Sequence, residues 1–108
     1  MGLSVYLYDK ETEEDIFCFN TTHNLGKMAS EAGIYLSLWR AEENGIQTAG
    51  QLIKPLKSGL EKMKADPAYF QKFDSPNGWG LYVHFVPLLE DLLRACEENP
   101  EAKVWTSR

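Results

Sequence analysis

Hydrophobic and polar positions alternate from Leu3 to Tyr8, with Leu3, Val5 and Leu7 on one side and Tyr6 and Tyr8 on the other. Asp15 to Asn20 does likewise, with Ile16 and Cys18 set against Phe17 and Phe19. A period of two belongs to a strand, and the polar Asp9–Glu14 stretch between the runs predicts an antiparallel hairpin. Lys103 to Ser107 is a third β-favouring run. It follows Asn99-Pro100, a helix stop, and is expected to join the same sheet.

Between these runs the pattern turns helical. Thr22 or Asn24 can cap a helix running to about Ala32, with Gly33 a natural residue just past its end. Ile34 to Arg40 is apolar and partly helical, and Ala41 to Gln47 reads as a polar loop. Thr48-Ala49-Gly50-Gln51 has the form of a capping box, and Leu52, Ile53, Leu56, Leu60 and Met63 follow at helical spacing. Asp66-Pro67 opens a short turn carrying Tyr69, Phe70 and Phe73, and Asp74 to Gly78 breaks the chain. From Leu81 a helical stripe of Phe85, Leu88, Leu89, Leu92, Leu93 and Cys96 runs to about Glu98. Pro55 and Pro87 fall inside the two long helices, and each removes a donor, which predicts a kink or a break near the start.

These elements predict an α+β fold in one domain spanning residues 1–108. It consists of a small antiparallel sheet of about three strands, the hairpin and the last run, with helices mainly on one face. Both faces of the sheet read as apolar. The uncovered face therefore calls for loops, for some of the helices, or for a second copy of the chain, which makes a homo-oligomer a live expectation.

Charge narrows the partners. The net charge is −5, with acidic residues at Glu11, Glu13, Glu14 and Asp15 and again at Glu97, Glu98 and Glu101. This argues against a nucleic-acid duplex, which calls for a basic stripe; Lys54, Lys57, Lys62 and Lys64 read as the solvated face of a helix. No apolar run approaches the roughly 20 residues of a membrane span, and the first residues resemble neither a signal nor a transit peptide. The expected location is the cytoplasm, with no membrane partner. Cys18 and Cys96 read as reduced, buried thiols, although spacing alone leaves a single bridge open.

Asn20-Thr21-Thr22-His23-Asn24 is the chemically richest stretch, sitting where strand gives way to helix. The free N–H groups of a helix start favour an anion or a polar ligand there. His23 reads either as a ligand donor and proton carrier or as a structural histidine; Asn20, Thr21 and Asn24 read as ligand contacts or as plain caps and turns. Asn77-Gly78-Trp79-Gly80-Leu81-Tyr82 offers an indole flanked by glycines, suited to stacking a flat ligand or to closing over the core. It also opens the last helix, whose start is a second anion nest. Arg40 is the natural partner of a carboxylate or phosphate, unless Glu42 or Glu43 takes it. His84 reads as a packed or edge histidine. No metal spacing, nucleotide-binding glycine loop or nucleophile–base motif is present, so no cofactor is expected and catalysis is disfavoured.

The stretches N-x-T-H-N-L-G-K-M-A (Asn20 to Ala29), L-W-R (Leu38 to Arg40) and N-G-W-G-x-Y (Asn77 to Tyr82) resemble a family of small bacterial and phage proteins without an assigned activity. The resemblance runs over almost the whole chain. It implies a stand-alone cytosolic domain of phage or prophage origin, with one pocket formed by Asn20, Thr22, His23, Asn24, Arg40, Trp79 and Tyr82. The leading expectation is a non-catalytic protein binding a small polar or anionic ligand, such as a nucleotide, in that cleft. Trp79 stacks, Arg40 and the helix-start amides neutralise charge, and Asn24 and His23 orient. The alternatives are a protein-interaction or assembly module without a small ligand, and an enzyme using His23 as general base.

Overall fold

A computed structural model describes residues 2–108. Strands β1 (Gly2–Tyr8), β2 (Asp15–Thr22) and β3 (Lys103–Ser107) form one antiparallel sheet in the order β2-β1-β3. The first strand is thus central, and the fold is α+β. Helices α1 (Gly26–Glu31), α2 (Tyr35–Trp39), α3 (Gly50–Ala65), α4 (Pro67–Gln71) and α5 (Tyr82–Glu98) lie between the hairpin and β3 in sequence. The hairpin turn is built by Asp9, whose Oδ1 accepts from the N–H groups of Glu11 and Thr12 at 2.8 and 3.0 Å. Those two backbone bonds, led by Thr12, hold the Asp9 carboxyl below its ordinary value.

Cross-strand pairing sorts the two faces. Val5 faces Phe19 and Leu7 faces Phe17, and together with Leu3 they point into the core. Tyr6 faces Cys18 on one side and Trp105 on the other, so these three share the outer face. The register slips between Leu7 and Tyr8, where Tyr8 pairs with Asp15 and leaves Ile16 as an extra residue. Such a bulge explains why Ile16, an apolar residue in a strand, stands 40% exposed.

Buried residues Leu52, Leu56, Leu60 and Met63 of α3 meet Phe85, Leu89, Leu92 and Cys96 of α5 beneath that inner face. The two helices run antiparallel. Lys57 pairs with Glu97 at 3.2 Å and Lys64 with Glu90 at 2.6 Å, so two of the lysines expected to be merely solvated bridge to α5. Exposed pairs of this kind contribute about 0–1 kcal/mol each, against about 1.5–3 kcal/mol for each leucine buried, so apolar packing decides the arrangement. Both helices continue through their prolines, Pro55 and Pro87, without a break. The capping box forms by half: Gln51 Oε1 accepts from Thr48 N–H at 3.0 Å, while Gln51 N–H bonds the Thr48 carbonyl rather than its hydroxyl.

The cysteines depart from expectation. Cys96 is buried, but Cys18 lies on the outer sheet face and is exposed, and both are free thiols. Alternation left the face of Cys18 undecided, and the register with Tyr6 turns it outward. Burial, helped by Glu97, pushes the Cys96 thiol up to about 12. A native-state thiol titration should therefore modify Cys18 alone, with Cys96 reacting only after denaturant is added. Folded chains keep a proton at Cys96 that unfolded chains lose, so stability should fall as pH rises from 9.0 toward about 12.

Gly59 lets α3 approach the turn after α1, because a Cβ there would come 2.5 Å from Ile34 Cγ2. Gly59→Ala should cost about 1–3 kcal/mol in urea denaturation by overpacking. An unchanged midpoint would show that the contact has room to relax.

Candidate functional site

Strand β2 ends at Thr22 and passes into a single 3-10 turn, His23–Leu25, before α1. Thr22 caps this turn, its Oγ1 accepting from Asn24 N–H at 3.2 Å. The cap leaves Asn24 pointing away from the core, toward the segment between α4 and α5. That segment is a folded loop. Asn77 Oδ1 accepts from Ser75 Oγ at 2.5 Å and from Trp79 N–H at 2.9 Å, and Ser75 N–H bonds the Gly80 carbonyl at 3.0 Å.

Gly80 makes the meeting of corner and loop possible on two counts. Its φ of +121° is one that L side chains rarely adopt, and a Cβ would stand only 3.0 Å from Asn24 Cβ and 3.3 Å from Thr22 Cγ2. The close approach lets Asn24 Nδ2 donate to the Trp79 carbonyl at 2.8 Å, across 55 positions of sequence. Trp79 is thereby held on both sides of its backbone while the residue stays 72% exposed.

An open concavity of about 580 Å³ lies beside the indole, lined by Gly2, Asn20, Thr21, Thr22, Asn24, Asn77 and Trp79. The structure thus brings together Asn20, Thr22, Asn24 and Trp79 from the sequence-derived set. It adds Asn77, whose place before Gly78 marks a turn residue but whose neighbours across the chain leave no local signal. No charged side chain is among the lining residues.

His23, Arg40 and Tyr82 lie elsewhere. His23 Nδ1 accepts from the indole N–H of buried Trp39 at 2.9 Å, and Trp39 in turn stacks on Tyr35 at 5.3 Å. Arg40 pairs with Glu43 at 3.1 Å. Tyr82 is buried, its phenol donating to the Met63 carbonyl at 2.9 Å. One amide at each helix start is answered from within: Thr22 takes Asn24 N–H, and Asp74 Oδ1 accepts from Tyr82 N–H at 2.7 Å at the start of α5. A carboxylate already fills the place that an anion was expected to take. His84 is exposed on α5.

Among the described residues no group of three or more His, Cys, Asp or Glu side chains is placed to hold a metal ion, and no helix is long and apolar enough to cross a membrane. Compared with protein-family models, curated proteins and solved structures, the chain matches none.

The His23–Trp39 bond makes a stability prediction. In His23→Ala the buried indole N–H loses its acceptor, at a cost of about 1–3 kcal/mol in chemical denaturation. His23→Asn places an amide oxygen near the position of Nδ1 and should recover much of that loss. Equal destabilisation in both variants would assign the effect to packing of the ring instead.

Proposed function

We propose that this protein is a non-catalytic binding domain, taking a small polar ligand in the cleft between the β2–α1 corner and the Trp79 loop. One observation carries the reading: a tryptophan 72% exposed whose backbone is fixed by hydrogen bonds at its N–H and carbonyl, with the ring presented beside a polar concavity. A tryptophan serving the core would bury its ring. One that is exposed on an anchored backbone offers a flat apolar surface on which a ligand can stack. The hydroxyls and amides around it supply orientation, and a volume of about 580 Å³ lies within the range of small-molecule sites.

The outer sheet face favours a second reading, a protein-interaction or assembly surface. Trp105 is 58% exposed and stacks on Tyr6 at 5.2 Å, with Ile16 and Cys18 on the neighbouring strand. Sedimentation that finds only monomer at high concentration counts against self-assembly through this face.

Thermal-shift screening with nucleosides, nucleotides and sugars tests the first reading. A ligand at 100 times its Kd should raise the melting temperature by on the order of 10 °C. Trp79→Ala should abolish that shift while changing intrinsic stability by no more than about 0.5 kcal/mol, because the ring is exposed. A screen without any shift removes the proposal.

A further inference from the structure

We infer that the ligand of the Trp79 cleft is an uncharged carbohydrate, one pyranose ring lying on the indole with its hydroxyl rim against the asparagines and threonines. This rests on the reading of the concavity as a binding cleft and assigns its ligand class. The hydrogen-bonding groups left over by the fold point that way. Asn24 spends Nδ2 on the Trp79 carbonyl, which leaves its Oδ1 as an acceptor with no partner among the described residues. Asn77 is the mirror case: its Oδ1 takes Ser75 Oγ and Trp79 N–H, leaving Nδ2 as a donor. Asn20 accepts from Ser4 Oγ at 2.6 Å and retains Nδ2, engaged only by Cys18 Sγ at 3.4 Å. Thr22 Oγ1 accepts from Asn24 N–H and keeps its own proton to donate, and the Thr21 hydroxyl can do either.

The described residues of the lining therefore show donors and an acceptor intermixed and no charged side chain. A hydroxyl group both donates and accepts, so a polyol can satisfy each of these groups. A fully ionised phosphate group only accepts. Among the described residues of the lining it would gain no cation, since Arg40 is paired with Glu43 outside it, and it would meet the bare side-chain carbonyl oxygen of Asn24. One backbone amide at each helix start is already bound, Asn24 N–H to Thr22 and Tyr82 N–H to Asp74.

Shape separates a sugar from a nucleobase. A base has two aromatic faces and gains most between two flat walls, whereas Trp79 is the only aromatic residue in the lining. A pyranose needs one such wall for its C–H face and polar groups around its edge. The ring exposed at Trp79 and the rim from Asn20 to Asn24 and Asn77 supply that combination.

The test is a titration of isotope-labelled protein followed by NMR. Its probes are methyl β-glucoside, methyl α-mannoside, N-acetylglucosamine and β-1,4-linked disaccharides; adenosine, AMP and inorganic phosphate run alongside. Saturable shifts of the Trp79 indole N–H and the Asn24 and Asn77 side-chain amides with a saccharide, weakened tenfold or more in Trp79→Ala and less in Trp79→Phe, are expected. Binding of adenosine, AMP or phosphate without any saccharide overturns the carbohydrate assignment and leaves the cleft standing. Saccharide binding unaffected by Trp79→Ala also overturns it, since the sugar then sits elsewhere. Silence from every probe overturns both the assignment and the cleft.

Discussion

The structure depends on one face of one strand. Leu3, Val5 and Leu7 of β1 present the apolar side of a central strand, and α3 and α5 are held against the sheet because that side must be covered. Phe17 and Phe19 of the partner strand widen the surface, and Phe85, Leu89 and Leu92 press onto it from α5. The ion pairs between α3 and α5 lie at the rim, half exposed, and register the two helices more than they hold them. Because α5 is fixed from below, so is the loop that leads into it. The position of Trp79 is therefore a consequence of core packing, transmitted through Asp74 at the helix start and Asn24 across the gap.

That route explains how a concavity made of turns is held together. One wall precedes the first helix and the other lies between α4 and α5. They meet only because Gly80 has no side chain to keep them apart. Each wall is internally bonded: the corner through Thr22, the loop through Asn77 and Ser75.

Much of the fold is legible in the sequence because its elements obey simple periods. The alternation at Leu3–Tyr8 and Asp15–Asn20, the last run at Lys103 and the stripe from Phe85 to Cys96 all report local geometry, which composition along the chain can encode. What stays hidden depends on register. Whether Phe17 and Phe19 or Ile16 and Cys18 turn inward is decided by pairing with β1 and by a one-residue bulge, neither of which alternation can reveal. The site divides the same way. The polar corner and the glycine-flanked indole stand out locally, and they meet around one concavity. Residue type suggests Arg40 as a ligand group, and type with polar neighbours at a helix start suggests His23. Each is taken by a residue of its own neighbourhood or of the adjoining helix, Glu43 and Trp39, for reasons of geometry that residue type does not carry. Tyr82 follows α5 into the core, where its hydroxyl has a carbonyl to meet.

The three indoles occupy three different environments. Trp39 is enclosed with its N–H on a histidine, Trp105 lies against a tyrosine on the open sheet, and Trp79 stands nearly free in solvent. Their emission should differ accordingly, blue-shifted for the enclosed ring and red-shifted for the free one. Selective replacement by phenylalanine would leave a single optical reporter for the interior, for the sheet, or for the cleft rim. The molecule thus carries its own probes for telling which of its surfaces a partner covers.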